Sequence, residues 1–180
     1  DCILDLVNRY NLRAEDVEKA TVGILSAGYN IVAAPPEEKR NPKSVVDMQF
    51  SMPFGAAVAI LYGRASLEEY STEVVERPEV RELMSRVSCV QDAQLDTQFP
   101  RVWPAWAEIQ TRDGRSLRSE IQYPKGDPEN ALSWDEMKDK FMSLASPVVS
   151  SKRQFEIISA VEAMEDMADI RYLAKLLAKE

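Results

Sequence analysis

The stretch that most constrains the fold is residues 41–63, NPKSVVDMQFSMPFGAAVAILYG, whose second half is almost continuously apolar. An apolar run of this length exceeds an ordinary strand, so it predicts a buried helix. Proline is accepted in the first turn of a helix but not in its interior, and Pro53 therefore places the helix start near Ser51. Gly63 can take the left-handed conformation that commonly follows a helix. We predict a central core helix over residues 51–62, preceded by a shorter helical turn.

The charge balance of the chain is acidic. Asp and Glu number 30 against 22 Lys and Arg, which gives a formal net charge of −8, and no run of five basic residues occurs. Binding to phosphates needs a clustered positive face, so nucleic acid is not an expected partner. No apolar run reaches the roughly 20 residues that a bilayer demands, and the N-terminus shows no basic region followed by an apolar stretch. We expect a soluble, cytoplasmic chain that does not bind membranes.

The inventory of reactive side chains is narrow, because the chain contains no histidine. The usual general base, the Ser-His and Cys-His arrangements and most transition-metal sites are therefore excluded. Cys2 and Cys89 show no metal-ligand spacing and are expected to be free thiols. Glycine is sparse, so no phosphate-binding loop or dinucleotide fingerprint is present. We expect no metal and no cofactor, and any catalysis by this chain would rely on carboxylates, lysines or tyrosines.

The remaining elements of the first two thirds combine helices with short strands. Apolar residues at helical spacing predict an amphipathic helix over residues 1–11, and Pro78 opens another helix with one apolar face. Residues 17–33 carry Val, Thr, Ile and Tyr with scattered glycine, which predicts a strand with a bend. A further strand is expected over residues 87–91. Two segments are expected to be irregular loops, residues 35–40 and 92–101.

The clearest hairpin in the chain covers residues 103–121, where Arg-Asp-Gly supplies strong turn chemistry and Gly114 suits a left-handed position. A plain two-residue turn would pair Ile109 with Arg118. A three-residue turn with a glycine bulge pairs Ile109 with Leu117 instead. The second register gathers the apolar residues on one face of the hairpin, so we predict that register.

Helices are expected to close the chain. Ser133 and Glu136 form a capping box, which predicts a helix start, and Met137, Phe141 and Leu144 are expected to face inward from this helix. Two further helices are expected, over residues 151–165 with Ile157, Val161 and Met164 on one side, and after a cap at Asp169. Together the pattern predicts an α+β fold, in which a small sheet with packed helices is followed by C-terminal helices.

Three segments resemble the C-terminal half of the MmgE/PrpD family. They are DMQFSMPFGAAVAILYGR at residues 47–64, RPEVRELMSRV at 77–87, and WAEIQTRDGR followed by YPKGDPENALSWDEMKDKF within 106–141. The resemblance covers nearly the whole chain in the expected order, and the hairpin that leads into P-x-G-D-P-x-N is its most specific part. The family includes 2-methylcitrate dehydratase, cis-aconitate decarboxylase and related epimerases.

The resemblance implies a parent with two domains. Members of the family have a large helical domain and a smaller α+β lid, with the active site between them, and helices after the lid complete the helical domain. By that analogy residues 1–145 are the lid, and residues 146–180 complete the helical domain. The family's catalytic histidines and a lysine lie upstream of Asp1, outside this chain. The implied partners are a small carboxylate substrate, an upstream helical domain or partner chain, and a second copy in a homodimer.

The resemblance also implies a substrate-facing surface at the start of the central helix. The family's F-S-x-P-Y motif matches residues 50–54, and its tyrosine, which the lid contributes to the site, is Phe54 here. Without the hydroxyl this position can pack against a substrate but cannot pass a proton. Unpaired N–H groups at a helix start attract carboxylates. We therefore expect Gln49, Ser51 and Phe54 to bind the substrate.

Two functions from different classes follow from these observations. The first is the C-terminal lid portion of an MmgE/PrpD-type lyase or isomerase, which acts on a small di- or tricarboxylate such as 2-methylcitrate and is inactive alone. Joined to the helical domain, it would be a carbon–oxygen lyase (a dehydratase) or an isomerase. The alternative is a stand-alone, non-catalytic module for interaction or dimerisation through an exposed apolar face. An upstream helical segment rich in histidine, encoded in frame or adjacent, favours the first.

Overall fold

The structure is a computed structural model that describes residues 1–178, and it divides into two compact units. Unit 1 is Asp1–Ala131 and contains a four-stranded sheet with packed helices, whereas unit 2 begins at Leu132 and is helical over its described residues. The predicted α+β fold is therefore confirmed. The division into a lid, residues 1–145, and helices of a second domain, residues 146–180, stays a prediction. Residues 179 and 180 lie outside the described residues.

The sheet of unit 1 has the strand order β2-β1-β3-β4. Its strands are β1 (Val17–Ile24), β2 (Val87–Gln91), β3 (Ala105–Thr111) and β4 (Ser116–Ile121). β1 pairs parallel with β2 and antiparallel with β3, and β3 forms a hairpin with β4. The predicted hairpin register is confirmed, since Ile109 pairs with Leu117, and Gly114 in the turn has a φ of 86°.

One face of this sheet carries a tryptophan that lies flat across its neighbouring strand. A β-carbon added at Gly23 of β1 would stand 2.0–2.5 Å from three atoms of the Trp106 indole. The indole Nε1 donates a hydrogen bond to Asp92 Oδ2 at 2.8 Å, and the guanidinium carbon of Arg118 lies 4.0 Å from the ring centroid. The indole is therefore held by Gly23 below, by Arg118 above and by Asp92 at its edge.

The helices of unit 1, in chain order, are α1 (Cys2–Tyr10), α2 (Ser26–Val32), α3 (Pro36–Lys39), α4 (Val45–Gln49), α5 (Met52–Tyr62), α6 (Thr72–Val75), α7 (Pro78–Arg86) and α8 (Ala93–Asp96). α5 is the predicted central helix, capped by Ser51 and ended by Gly63 with a φ of 65°. It packs against α1, α7 and β2. A helix with neighbours on several sides is apolar around its whole circumference, and this accounts for the uninterrupted apolar sequence.

The prediction of a strand over residues 17–33 is wrong in its second half, which forms α2. The start of α2 receives its cap from far along the chain, because Asp96 accepts a hydrogen bond from the main-chain N–H of Ser26 at 2.7 Å and another from its hydroxyl. Tertiary structure thus overrides the local preference for a strand. The loops predicted over residues 35–40 and 92–101 each contain a short helix, α3 and α8.

The helices of unit 2 are α9 (Trp134–Ala145), α10 (Ser151–Glu162) and α11 (Arg171–Leu177). The capping box of α9 is confirmed, since Ser133 Oγ accepts from the Glu136 N–H at 3.2 Å and the Glu136 carboxylate accepts from the Ser133 N–H at 2.8 Å. The predicted inward positions of Met137 and Leu144 are wrong, because both side chains are nearly half exposed. Met137 lines an open apolar cavity of about 280 Å³ that α9, α10 and α11 leave unfilled, and α9 buries Ala145 rather than its neighbour Leu144.

The last two helices also differ from their predicted bounds. α10 ends at Glu162, so Met164 falls in the following turn and is nearly half exposed, not part of an apolar helix face. The cap residue of the last helix is Ile170 and not the predicted Asp169, although the Asp169 carboxylate accepts a hydrogen bond from the N–H of Arg171 at 3.0 Å. None of the helices within residues 1–178 is both long enough and apolar enough to cross a membrane.

Candidate functional site

Ser51 is at the start of α5, where the sequence predicts a substrate-facing surface. Its Oγ accepts a hydrogen bond from the Phe54 N–H at 3.1 Å and donates one to the carbonyl oxygen of Lys39. The residue is buried, with 4% of its surface exposed. The hydroxyl therefore ties the end of α3 to the start of α5, and its predicted role as the helix cap is confirmed. A contact between Ser51 and a substrate stays a prediction.

Phe54, one turn into α5, has no exposed surface and belongs to the core of unit 1. Its ring meets the ring of Tyr70 edge-on, with 5.2 Å between centroids. In this arrangement the Phe54 ring is a core side chain, so its predicted contact with a substrate requires a rearrangement that uncovers it. Gln49, at the end of α4, is exposed to solvent. The structure thus places two of the three predicted residues inside unit 1 and one on its surface.

A concave surface lies beside this helix start. It has a volume of about 730 Å³. Its lining includes two lysines, three carboxylates and two exposed apolar side chains: Lys39, Lys43, Glu37, Glu38, Asp47, Val46 and Phe50. Hydrogen bonds from the main-chain N–H of Lys43 and from the Ser44 hydroxyl lower the pKa of Asp47. The three carboxylates outnumber the two lysines on this surface, so a substrate carboxylate would have to contact Lys39 or Lys43 directly. The exposed Val46 and Phe50 supply apolar surface for a carbon skeleton.

Sequence reasoning missed this concave surface because its walls come from three separate elements, α2, α3 and α4, and from the segments between them. Within the predicted loop 35–40 no local pattern distinguishes Lys39 from any other solvated lysine. Spacing along the chain identifies a face of one helix, but it does not show which short helices meet. No signal in the sequence would have found this surface.

Tyr70 is a second candidate that the sequence did not indicate. It is the hydroxyl-bearing ring in contact with Phe54, and its hydroxyl would stand 3.5 Å from a β-carbon added at Gly55. Partial burial raises the pKa of Tyr70, and the nearby charge of Glu69 raises it further. A phenol is protonated at neutral pH even at its ordinary pKa, so Tyr70 can donate a hydrogen bond there.

The two cysteines are not activated nucleophiles. Both are free, as predicted. Burial raises the pKa of Cys89 to about 11, and burial also raises the pKa of Cys2. Because the thiolate is the nucleophile, neither side chain is reactive at neutral pH. Across residues 1–178 no group of three His, Cys, Asp or Glu side chains is arranged to hold a metal ion.

Comparison with known proteins gives a consistent set of relatives. A family model described as the MmgE/PrpD C-terminal domain matches residues 1–166. The cis-aconitate decarboxylase-like protein oryM of Aspergillus oryzae is 27% identical over 146 residues, which is 81% of this chain and 29% of that protein. Cis-aconitate decarboxylase of Aspergillus terreus is 27% identical over 175 residues, which is 96% of this chain and 35% of that protein.

A mammalian protein shows the same pattern. Cis-aconitate decarboxylase of Mus musculus is 25% identical over 136 residues, which is 76% of this chain and 28% of that protein. The chain therefore spans about a third of the length of the curated relatives that it matches.

Proposed function

The chain belongs to the MmgE/PrpD family, within its C-terminal domain, and from this premise we propose that it is the C-terminal part of a lyase or isomerase acting on a small di- or tricarboxylate. The match of one family model over residues 1–166 is the observation that carries the proposal. Cis-aconitate is the first substrate to test, because the relatives named above are cis-aconitate decarboxylases or resemble one. 2-Methylcitrate and citrate belong to the same chemical class.

We propose that unit 1 is a lid that covers the substrate. The chain has no histidine, so we infer that the residues that move protons lie in a helical domain upstream or in a partner chain. A lid contributes by excluding water and by positioning the substrate. We propose that Lys39 and Lys43, the two cations in the lining of the concave surface, bind substrate carboxylates, although the carboxylates of residues 37, 38 and 47 line the same surface. Gln49 is exposed to solvent at the end of α4, a few residues after Lys43 in the sequence.

We also propose that the upstream helical domain packs against unit 2. Large apolar side chains are exposed on its helices and turns: Val148, Phe155, Ile170, Tyr172 and Leu177. Phe155 and Tyr172 stand in the wall of a depression of about 630 Å³. Exposed apolar surface of the size of this depression marks an interaction site. A neighbouring helical domain would cover this surface. The exposed side chains therefore support the proposal that unit 2 completes a larger helical domain.

The function is tested by comparing this chain with the complete protein, meaning this chain together with its proposed helical domain. We expect no turnover of cis-aconitate, 2-methylcitrate or citrate by the chain alone, and turnover of one of them by the complete protein. In the complete protein, K39M/K43M should raise KM about tenfold, because two charged contacts to the carboxylates are lost. Lys19→Met removes an exposed lysine that does not line the concave surface and is the matched control.

Two outcomes would contradict this function. Turnover by the isolated chain that a mutation within it abolishes would place the catalytic residues here. A complete protein that converts none of the three substrates, yet associates tightly with another protein, would favour the alternative of a non-catalytic interaction module.

Binding of an environment-sensitive apolar dye tests whether the helical domain packs on the exposed apolar side chains of unit 2. The isolated chain should bind the dye with strong fluorescence, and the double variant F155S/Y172S should reduce that fluorescence at least about twofold, because it removes two exposed rings from one depression. Addition of the helical domain as a separate chain should also reduce it. A chain that binds no dye, and whose fluorescence does not respond to the helical domain, would count against this partner.

A further inference from the structure

The segment between α5 and α6 is organised around a buried carboxylate. Glu69 has 3% of its surface exposed. Its carboxylate accepts hydrogen bonds from the N–H and the hydroxyl of Ser66, at 2.8 and 2.7 Å, and from Nε of Arg64 at 2.7 Å. A buried carboxylate is stable when its oxygens are bonded and its charge is paired. The carboxylate therefore closes residues 64–69 into a fixed turn, and the next residue, Tyr70, leaves that turn in a defined position.

The side chain of Tyr70 packs its ring against the core of unit 1 and brings its hydroxyl to the first turn of α5. The ring contacts Phe54, and the hydroxyl oxygen would stand 3.5 Å from a β-carbon added at Gly55. Within residues 1–178 this hydroxyl has no hydrogen-bond partner, whereas the fully buried side-chain oxygens and nitrogens of the buried and half-buried residues there all have one. The Tyr70 hydroxyl is therefore open to solvent beside Gly55.

Gly55 leaves a gap in the surface of α5, and the fold of unit 1 does not require glycine there. Its φ is not in the left-handed region, and an added β-carbon would meet the Tyr70 hydroxyl at an ordinary contact distance. Glycine inside a helix is less stable than alanine. A side chain longer than alanine, however, would cover the hydroxyl. Glycine is also the residue that permits a ligand to approach the main chain closely, so the gap fits a ligand that contacts Tyr70.

The chemistry of this position selects an anionic acceptor. A protonated phenol donates a hydrogen bond, and hydrogen bonds to ionised acceptors are shorter and stronger than those to neutral ones. We propose that the Tyr70 hydroxyl binds the substrate by donating a hydrogen bond to a carboxylate that lies over Gly55, and that Glu69 is a positioning residue which fixes the segment carrying Tyr70. This inference rests on the proposed function, because it takes the substrate to be a di- or tricarboxylate. Supporting groups that hold a binding side chain in place are a general feature of such sites.

Tyr70→Phe in the complete protein tests the contact by steady-state kinetics with whichever of the three substrates is converted. KM should rise about tenfold, because a hydrogen bond to a charged group is lost. kcat should stay within about threefold of the parent, since the contact binds substrate and transition state alike. Tm should change by less than about 2 °C, because the hydroxyl has no partner within the chain. Tyr62→Phe is the matched control: this hydroxyl, at the other end of α5, accepts from Arg77 at 3.1 Å, and its removal should leave KM unchanged.

Variants at Gly55 and Glu69 test the gap and the positioning role. Gly55→Leu fills the gap and should raise KM at least about tenfold, whereas Gly55→Ala should stay within about threefold of the parent. Glu69→Gln weakens the hold on the turn and should raise KM by a smaller factor. In the Y70F background, E69Q should add nothing further, because it acts only through Tyr70. E68Q is its control, since Glu68 binds the same arginine but is exposed.

This inference and the proposed function can fail separately. If the complete protein converts one of the substrates and Y70F leaves KM unchanged, the Tyr70 contact is wrong and the function stands. If it converts none of them, both are wrong. A Y70F variant with a strongly lowered Tm and an unchanged KM would assign the hydroxyl to the stability of the fold. A further rise of KM from E69Q in the Y70F background would overturn the positioning role, and Y70F alone decides the contact if G55L does not fold.

Discussion

Replacing Phe54 with alanine is expected to lower the free energy of unfolding of unit 1 by about 3–5 kcal/mol. The side chain is fully buried, so truncation removes its contacts with the core and leaves a cavity that a packed interior fills only in part. Chemical denaturation followed by circular dichroism measures the loss. Phe50→Ala is the matched control, because Phe50 is nearly half exposed and lies four residues earlier. Phe50→Ala should lower the free energy of unfolding by much less than Phe54→Ala does.

The conservative change Phe54→Tyr distinguishes a core ring from a ring that faces a substrate. A buried hydroxyl without a partner should cost about 1–3 kcal/mol of stability. If the ring reaches a site in the complete protein, the hydroxyl is solvated or bonded there, and stability stays within about 0.5 kcal/mol of the parent. Unchanged stability together with a raised kcat would contradict the core placement of Phe54.

Gly23→Val is expected to destabilise unit 1 by at least about 1–3 kcal/mol, the usual range for overpacking. The indole of Trp106 occupies the space that a β-carbon needs, with three ring atoms at 2.0–2.5 Å. The ring cannot give way at low cost, since it is bonded to Asp92 and covered by Arg118. Thermal unfolding of the variant measures the effect.

A second glycine serves as the control for this substitution. Gly28 lies within α2 and has no atom within 4 Å of an added β-carbon, so Gly28→Ala should raise stability by about 0.5–1 kcal/mol, because alanine favours the helix. Equal and small effects at both glycines would show that Trp106 moves aside freely. The space beside Gly23 would then not restrict the size of the side chain at that position.

The parts of the fold that could be predicted are those encoded by neighbouring residues. The Arg-Asp-Gly turn and the alternation of apolar residues specify the register of β3 with β4, and Ser51, Pro53 and Gly63 specify both ends of α5. The capping box of Ser133 and Glu136 likewise specifies the start of α9 from residues close together in the sequence. Each of these signals lies within a few residues of the structure that it determines.

The parts that could not be predicted depend on residues far apart in the chain. The start of α2 is bonded by Asp96 from 70 residues away, and the flat placement of Trp106 depends on Gly23 in another strand. The candidate site has the same origin, because Tyr70 meets Phe54 only after the chain has folded, and the concave surface joins three elements. A resemblance to a family suggested the start of α5 as a candidate site, which stays a prediction, and it did not indicate that Phe54 is enclosed.

The order of strands in the sheet has a consequence for synthesis of the protein on the ribosome. β1 is the first of the four described strands to be made, yet it lies in the interior of the sheet, and its two partners follow only at residues 87–91 and 105–111. Until then both of its edges carry unpaired main-chain groups, which are prone to pair with other chains. The nascent chain must therefore carry an unpaired apolar strand through the synthesis of six helices, α2 to α7, and any fragment that ends within that crossover retains the same exposed edges.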